Sequence, residues 1–287
     1  METLVIHAPA KVNLCLEIIR KRADGYHEIS TTFQKVGLFD ELTLQKISSP
    51  GIHLTVDNPA AAPSDHTNLV YRAAQLIMEH SKADWGVAIK LLKRIPTGAG
   101  LGGGSSDAAA TLDGLNKLFN LGLSLQTLQA LACKLGADVP FFLTPWTTAC
   151  ATGIGEILQQ AHLGPKIWFV IVFPRFSIAT AWAYATFSQD ILLTNRRKNI
   201  ILSNYIDDLT QVCMLLYNDF ERVVIPRHPE IAAIRQSLMQ AGARGALLSG
   251  SGSSVFGVFA NRKDSQKAAA QLSNTINGDI FIAPACR

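Results

Sequence analysis

The sequence predicts an α+β protein built from two domains. Alternating apolar and polar residues dominate residues 1–60, helical and strand patterns are mixed after them, and glycines cluster near residues 155–165, between an earlier and a later block. The chain has 287 residues, whereas a single domain typically has ~150. We therefore predict an N-terminal domain over 1–160 and a C-terminal domain over 161–287.

The first block is predicted to begin with strands and to continue with a helix. Alternating residues predict a meander of strands at 12–18, 41–45 and 52–56. After a polar, proline-bearing stretch, apolar residues at helical spacing predict a helix over 68–80, capped by Thr67 or Asp65.

A strand, a loop and a helix follow in the first block. Residues 87–92 have a strand pattern and lead into a glycine-dense loop. Ser105, Ser106 and Asp107 are residue types that cap helices, so a helix is predicted over 108–118 behind them.

The end of the first block is predicted to hold one more helix and a turn. Ser124 is a typical helix cap, and leucines at helical spacing follow it until Gly136 ends the helix. Asp138 then falls in a predicted turn before Pro140.

The second block opens on the run IWFVIVF at 167–173, which predicts a buried strand. Helices are predicted near 180–188, 198–216 and 229–241, the last with a proline at its first turn. Strands at the end of the chain are predicted at 245–249, 255–259 and 279–283, with a helix over 262–275.

The composition excludes several classes of protein. Hydrophobic residues make up 48% of the chain and charged residues 17%, so the chain can bury a core and is not expected to be disordered. The apolar run at 167–173 is shorter than the ~20 residues of a membrane-spanning helix. The N-terminus also lacks a basic start before an apolar core. We therefore expect a cytoplasmic protein without a membrane partner.

Charge and cysteine spacing exclude further functions. The net charge of +4 comes without a long basic run, so no nucleic-acid partner is expected. The five cysteines stand far apart and form no CxxC pair, which predicts reduced thiols rather than a metal site.

A glycine-rich loop carries the strongest chemical signal of the sequence. Glycines let the backbone approach a ligand closely, and N–H groups at a helix N-terminus bind phosphate. The loop lacks the Gly-Lys-Ser/Thr ending of a Walker A loop, and its GxGxxG spacing favours a dinucleotide site only weakly, because no acidic residue follows about twenty positions later. The candidate phosphate-binding residues are Pro96, Thr97, Gly98, Ala99, Gly100, Leu101, Gly102, Gly103, Gly104, Ser105 and Ser106.

Three segments are APAKVNL at 8–14, the glycine-rich loop and LSGSG at 248–252. Together they resemble the motifs of the GHMP kinases, which are named for galactose, homoserine, mevalonate and phosphomevalonate. Further segments are similar to the GHMP kinases that act on cytidine-diphosphate methylerythritol in the non-mevalonate isoprenoid route. These are RADGYH at 22–27, LGADVPFF at 135–142, GIGE at 153–156 and NDFE at 218–221.

The resemblance implies a fold, a pair of cofactors and a reaction. It implies an N-terminal domain like domain 2 of ribosomal protein S5 and a ferredoxin-like C-terminal domain. It further implies ATP as the phosphoryl donor, Mg²⁺ as its companion ion and phosphorylation of the tertiary 2-hydroxyl of the small-molecule acceptor. Spacing assigns no residue to Mg²⁺, and Glu156 is a candidate only.

The resemblance also implies roles for individual residues. Asp138 becomes the general base and Lys11 its cationic partner, while the glycine-rich loop holds the ATP phosphates and Asn13 lies near the acceptor alcohol. Because Tyr184 lies in the second half of the chain, the nucleobase is predicted to be held across the domain boundary. The residues implied at the cytidine end are Tyr26, His27, Phe33 and Tyr184.

Several of these residues also have an ordinary structural explanation. Asp138 before a proline is typical of a helix cap, whereas Lys11 among apolar neighbours is unusual for a surface lysine. His27 and Tyr184 are residue types that turns and cores also use. Residues 249–254 fit either a tight hairpin turn or a second backbone cradle for phosphates.

Two other functions fit parts of the sequence. One is a GHMP kinase for a different alcohol, such as mevalonate or homoserine, which the segments ADGYH and LGADVPFF disfavour. The other is a non-catalytic RNA-binding protein of S5-like fold, which the lack of a basic stripe with interleaved aromatic residues disfavours. The oligomeric state is not predicted.

Overall fold

A computed structural model describes residues 2–82, 85–190 and 205–287. The strands in these residues are β1 (Thr3–Lys21), β2 (His27–Ile47), β3 (Gly51–Val56), β4 (Gly86–Leu92), β5 (Thr148–Thr152), β6 (Ile157–Leu163), β7 (Trp168–Phe173), β8 (Tyr205–Ile206), β9 (Tyr217–Asn218), β10 (Gly245–Leu248), β11 (Val255–Phe259) and β12 (Asp279–Pro284). The helices there are α1 (Leu69–Ser81), α2 (Gly103–Leu118), α3 (Leu125–Cys133), α4 (Val139–Leu143), α5 (Thr180–Asp190), α6 (Leu209–Leu215), α7 (Glu221–Arg227), α8 (Pro229–Gln240) and α9 (Arg262–Leu272).

The chain divides into two compact units whose segments interleave along the sequence. The long strands β1 and β2 each run through both units. The predicted single boundary at residue 160 stays a prediction. Unit 1 comprises the described residues of Met1–Ala10, Leu38–Thr97 and Gly102–Pro145, and unit 2 those of Lys11–Gly37, Gly98–Leu101 and Trp146–Arg287.

The sheet of unit 1 differs from the predicted meander. Strand β4 pairs in parallel with β3 and antiparallel with residues 41–47 of β2, so it lies between them. The meander is therefore wrong for β3. The physical reason is that helix α1 connects β3 to β4, and such a crossover joins parallel neighbours. The helices cover an apolar core that includes Leu44, Ile77, Ile89, Leu112 and Leu131.

The predicted helix starts in unit 1 are partly confirmed. Ser124 caps α3, since its hydroxyl accepts a hydrogen bond from the Thr127 N–H at 3.1 Å. Helix α1 is capped by Asn68, whose Oδ1 accepts from the Val70 N–H at 2.9 Å, so neither Thr67 nor Asp65 is its cap. Asp65 instead accepts a hydrogen bond from the Thr67 N–H at 2.8 Å and closes the preceding turn.

Helix α2 begins earlier than predicted. Its N-cap is Gly102, and Ser105, Ser106 and Asp107 lie inside the helix rather than before it. Their predicted capping role is wrong because the glycines themselves enter the helix. Gly102 has a left-handed backbone with φ +69° and no side chain to cap the helix.

Unit 2 contains the predicted ferredoxin-like arrangement. Strand β7, helix α8, strands β10 and β11, helix α9 and strand β12 follow one another in the β-α-β-β-α-β order of that fold. The sheet has the order β10-β11-β7-β12 with every neighbouring pair antiparallel. The predicted strand at 167–173 lies in its middle, and Val170 and Ile171 are fully buried there. This part of the predicted architecture is confirmed.

Other parts of unit 2 were not predicted or are not described. Residues 31–34 of β2 pair with β5, which pairs with β6, and neither of these two strands was predicted. The predicted helix over 198–216 falls partly on residues outside the described ranges, and α6 forms within its remainder. Across the described ranges, no helix combines the length and the apolar character needed to span a membrane.

Candidate active site

The residues predicted at the acceptor alcohol form a buried hydrogen-bonded chain in unit 2. The Lys11 ammonium donates to Asn13 Oδ1 at 2.6 Å, and Asn13 Nδ2 donates to the Thr31 hydroxyl at 2.8 Å. The Thr31 hydroxyl donates in turn to the Cys15 carbonyl at 2.5 Å. Lys11 is 4% exposed and Asn13 2% exposed, so neither is the solvated strand residue that alternation alone would predict. Thr31 was not identified from the sequence, because nothing but its position opposite β1 marks it.

Phe33 lies beneath the lysine. The Lys11 ammonium is 5.1 Å from the centroid of the Phe33 ring, a cation–π geometry. Phe33 is 1% exposed. The observed contact of this ring is therefore with the charged head of Lys11, and its predicted role as a wall for the cytidine stays a prediction.

The three motif segments meet through their backbones in unit 2. The Lys11 N–H donates to the Leu101 carbonyl at 2.9 Å, which joins the first motif to the glycine-rich loop. The Ser254 N–H donates to the Ala99 carbonyl at 3.1 Å, and the Ser249 hydroxyl donates to the Gly100 carbonyl at 2.9 Å. The 249–254 segment is therefore more than a local hairpin turn, since it holds the glycine-rich loop.

Gly100 is required where the second and third motifs touch. Its φ is +77°, and a Cβ atom on it would lie 2.0 Å from the Ser249 carbonyl oxygen. Such a distance is far inside van der Waals contact, and the neighbour is backbone rather than a flexible side-chain tip. Any side chain at position 100 would push the two motifs apart.

The N-terminus of α2 offers backbone donors in unit 1. The first N–H groups of a helix have no partner within the helix, and Gly102 supplies no side-chain cap for them. The N–H groups of Gly103, Gly104 and Ser105 therefore lie at the positive end of the helix dipole. The Ser106 hydroxyl is buried and has no hydrogen-bond partner among the described residues. Uncapped donors at a helix start form a phosphate-binding arrangement.

A buried ion triad lies below this helix start, and the sequence did not reveal it. The Lys93 ammonium is 2.5 Å from Asp40 Oδ2 and 2.8 Å from Asp107 Oδ2. Asp40 Oδ1 also accepts from the N–H groups of Arg94 and Ile95, at 2.6 and 2.9 Å. The triad thus joins β2, the end of β4 and the first turns of α2. The sequence signal for this triad was the presence of a charged residue on each side of the glycine-rich loop, Lys93 before it and Asp107 after it.

Burial and charge shift the pKa values in the triad. Burial raises the pKa of Asp107, the neighbouring Asp40 charge raises it further, and Lys93 opposes both. Burial alone would lower the pKa of Lys93, but the two carboxylates outweigh it and raise that pKa. Lys93 therefore stays charged at neutral pH, and the Asp107 carboxyl holds its proton more tightly than an exposed aspartate does.

Asp138 stands at the N-cap position of α4 in unit 1, where it is partly buried. Its side chain makes no capping hydrogen bond to that helix, so the ordinary explanation of an aspartate before a proline does not apply. Lys11 belongs to unit 2. The pairing of Asp138 with Lys11 stays a prediction.

The residues predicted at the nucleobase all lie in unit 2. His27 and Tyr184 stack with ring centroids 4.8 Å apart and planes 16° from parallel, and Tyr184 packs edge-on against Phe220 at 4.9 Å. Tyr26 is next to this stack in sequence and is 60% exposed. Residues 11–37 belong to the same compact unit as Tyr184, and the expectation that the nucleobase is held across a domain boundary stays a prediction. Burial lowers the pKa of His27, and Lys21 lowers it further.

The predicted metal candidate has a structural role. Glu156 Oε2 accepts a hydrogen bond from the Ile154 N–H at 2.6 Å and closes its own turn. Within the described ranges, no three histidine, cysteine, aspartate or glutamate side chains form a group that could hold a metal ion.

Comparison with known proteins places the chain in a family. The model of the GHMP kinases N terminal domain matches residues 68–144, and that of the GHMP kinases C terminal matches residues 205–278. The 4-diphosphocytidyl-2-C-methyl-D-erythritol kinase of Geobacter metallireducens is 42% identical over 282 residues, which are 98% of each chain. The enzyme of that name from Syntrophotalea carbinolica is 43% identical and covers 93% of each chain.

A solved structure agrees with the sequence comparison. A crystal structure of 4-(cytidine 5'-diphospho)-2C-methyl-D-erythritol kinase has a TM-score of 0.80 and 35% identity, and the match covers 99% of this chain and 100% of that one. Because these similarities extend over nearly the whole length, the chain belongs to the GHMP kinases, within the family of the 4-diphosphocytidyl-2-C-methyl-D-erythritol kinases.

Proposed function

We propose that this protein transfers the γ-phosphoryl group of ATP to the tertiary 2-hydroxyl of 4-diphosphocytidyl-2-C-methyl-D-erythritol, in the non-mevalonate route to isoprenoid precursors. The main support for the proposal is that hydrogen bonds join the three motif segments to one another. The Lys11 N–H donates to the Leu101 carbonyl of the glycine-rich loop, and the Ser249 hydroxyl donates to the Gly100 carbonyl of the same loop. Full-length similarity to enzymes named for this substrate supports the choice of acceptor.

Positioning and neutralisation of charge supply most of the catalysis in phosphoryl transfer. The transition state is loose, and negative charge is spread over the transferred group and its neighbours. The uncapped start of α2 binds the ATP phosphates through backbone N–H groups. The segment 249–254 adds a second backbone cradle for phosphates, which its contacts with Ala99 and Gly100 of the glycine-rich loop support.

Asp138 acts as the general base. The acceptor oxygen attacks the γ-phosphorus, the bond from phosphorus to the bridging oxygen of ADP breaks, and the hydroxyl proton passes to the Asp138 carboxylate. Lys11 stabilises the incipient alkoxide by its positive charge. Asn13 and Phe33 hold the lysine head in place from two sides, by a hydrogen bond and a cation–π contact.

Mg²⁺ accompanies ATP in this proposal. When bound, the ion would supply positive charge that neutralises the phosphates of ATP. Magnesium sites usually combine one or two protein ligands with phosphate oxygens and water, so a cage of carboxylates is not required. The Ser106 hydroxyl, which is buried without a hydrogen-bond partner, fits such a single protein ligand.

The nucleobase end of the acceptor binds at the stack of His27 and Tyr184. A planar base needs a flat apolar face and a few polar groups, and the stacked rings of His27 and Tyr184, with their ring nitrogens and hydroxyl, are groups of these kinds. Tyr26, which is exposed and precedes His27 in sequence, is proposed as a further contact of the base.

An assay of ADP release with several acceptors tests the proposed function. We expect ADP release with the cytidine-diphosphate methylerythritol in the presence of Mg²⁺, none after chelation of the ion, and a product whose 2-phosphate is visible by phosphorus NMR. Mevalonate and homoserine serve as control acceptors. Equal turnover of a control acceptor, or no turnover by folded protein supplied with Mg²⁺, would contradict the proposal.

A further inference from the structure

The segment Asn218–Glu221 connects parts of unit 2 that the proposed mechanism uses separately. Strand β9 pairs in parallel with β1, with Leu16 opposite Asn218. Asp219 strengthens this attachment, because its carboxylate accepts from the Ile18 N–H at 2.7 Å and its own N–H donates to the Leu16 carbonyl at 3.0 Å. The segment is thereby fixed to the strand that carries Lys11.

The Asn218 side chain reaches from this segment into the third motif. Its Nδ2 donates two hydrogen bonds, to the carbonyls of Leu248 and Gly250, both at 2.8 Å. Its Oδ1 accepts from the Phe220 N–H at 2.9 Å. The residue is 3% exposed. The amide therefore uses both of its N–H groups to hold the backbone on which Ser249 lies.

Glu221 holds the same loop from a second point. Its Oε1 accepts from the Leu248 N–H at 3.1 Å, and its Oε2 accepts from Arg235 at 2.7 Å. Leu248 is thus bound at its N–H by Glu221 and at its carbonyl by Asn218. Only an amide side chain at 218 supplies two donors on one nitrogen together with an acceptor.

The loop held in this way touches the groups assigned to the reaction. Ser249 donates to the Gly100 carbonyl. A Cβ atom on Gly250 would lie 3.5 Å from Asn13 Oδ1, so the Gly250 backbone borders the amide that holds Lys11. A shift of the loop by a fraction of an ångström would reach the phosphate loop and the lysine together.

We propose that Asn218 is a positioning residue for phosphoryl transfer, which acts by holding the Leu248–Gly250 backbone against Gly100 and Asn13. The inference rests on the proposed function. Asn218 is not required to contact the substrate. Loss of its amide is expected to reduce turnover by folded enzyme. Reaction rates fall by about a hundredfold when reacting groups are misplaced by about 1 Å.

Variants at 218 and at a matched position test the proposal. Asn116 is the control, because its amide closes a loop of unit 1 in the same manner, with Nδ2 donating to the Leu123 carbonyl and Oδ1 accepting from the Leu123 N–H, both at 3.0 Å. We expect Asn218→Ala to lower kcat by about tenfold or more, because the Leu248–Gly250 backbone loses both hydrogen bonds donated by the amide and can shift away from Gly100 and Asn13. Asn218→Ser, which keeps one donor, should lose less. Asn116→Ala and Asn116→Ser should leave kcat within about twofold of the wild type while lowering Tm.

The measurement is kcat per folded molecule, with the folded fraction determined by circular dichroism at the assay temperature. If both 218 variants lower Tm but keep the wild-type kcat, Asn218 is merely structural and the proposal is overturned. If Asn218→Ala does not fold, the decision rests on Asn218→Ser against Asn116→Ser. Inactive wild-type protein would instead refute the proposed function, so the two failures are distinguishable.

A pH profile of Asn218→Asp and Asn116→Asp gives a second readout. A carboxylate at 218 would face two carbonyl oxygens, and its protonated form would restore one donor. We expect the kcat of Asn218→Asp, relative to wild type, to rise as the pH is lowered, whereas that of Asn116→Asp stays level. A level ratio for both variants would contradict a role of the Asn218 donors in positioning.

Discussion

Lys93 and Asp107 form a buried ion pair at the start of helix α2, with Nζ 2.8 Å from Oδ2 and each side chain 3% exposed. Asp40 is a second carboxylate on the same ammonium. If the start of α2 binds phosphate as proposed, an acidic residue in its first turns would repel the anion. Lys93 offsets part of this negative charge.

Replacement of Lys93 tests the energetic weight of the triad. Lys93→Met leaves two buried carboxylates without their cation, and we expect the free energy of unfolding to fall by about 3–5 kcal/mol. Urea denaturation measures this change. Lys117→Met is the control, because the pair of Lys117 with Asp113 is exposed and should contribute only about 0–1 kcal/mol. A loss below about 1 kcal/mol in Lys93→Met would contradict the buried pairing.

The raised pKa of Asp107 predicts a pH dependence of stability. The folded state holds the Asp107 proton more tightly than the unfolded state, mainly because of burial. Its contribution to stability is therefore complete in acid and is lost as the pH rises from ~4 through the raised pKa. We expect the free energy of unfolding of wild type, relative to Asp107→Asn, to fall over this range. The free energy of unfolding is measured by urea denaturation at several pH values. If it changes with pH equally in both proteins, Asp107 does not titrate in this way.

The general base is tested at Asp138. Asp138→Asn keeps the shape of the side chain but cannot accept the proton, so we expect kcat to fall by about 10²–10⁴ with ATP affinity nearly unchanged. Lys11→Met should lower kcat similarly. The matched control is Asp113→Asn, which removes an exposed carboxylate of the same unit and should leave kcat unchanged. Near-wild-type kcat in Asp138→Asn would mean that another group takes the proton.

The stack of Tyr184 on His27 predicts where specificity for the nucleobase resides. Tyr184→Ala removes a face worth roughly 1–3 kcal/mol to a base, so KM for the cytidine substrate should rise about tenfold or more while KM for ATP stays the same. Tyr184→Phe keeps the ring and should change neither value much. Tyr205→Ala, at a tyrosine that is 66% exposed, is the control for loss of a tyrosine. A higher KM for ATP, or a lower Tm with both KM values intact, would refute this assignment.

Replacing Gly100 and replacing Gly122 by alanine should have very different effects on kcat/KM for ATP. Gly100→Ala forces a Cβ to within 2.0 Å of the Ser249 carbonyl, so kcat/KM for ATP should fall by about a hundredfold through displaced groups. Gly122 has a similar φ of +68° but nothing within 4 Å of a Cβ. Gly122→Ala therefore reports backbone strain without the clash and should keep kcat/KM. If steady-state assays show equal losses of kcat/KM in both variants, backbone strain rather than the clash with Ser249 explains the loss.

Local patterns were sufficient to predict much of the fold. The strand at 167–173, the helix beginning with Pro229 and the cap at Ser124 are each set by residues close together in the chain. The start of α2 at Gly103 differs from the predicted start at 108, because serine and aspartate occur both inside a helix and at its cap. Residue type alone therefore does not distinguish a serine or aspartate that caps a helix from one that lies within its first turns.

The family, the glycine-rich loop and the candidate base Asp138 could be predicted from the sequence, because each depends on a short string of residues whose order is the signal. The folded structure was needed to show that β4 lies between β2 and β3, that Lys93 pairs with both Asp40 and Asp107, and that Asn218 holds the third motif. Each of these contacts joins residues far apart in the chain. Burial makes such contacts necessary, since a charge or an amide removed from water must find its partner wherever the fold brings one.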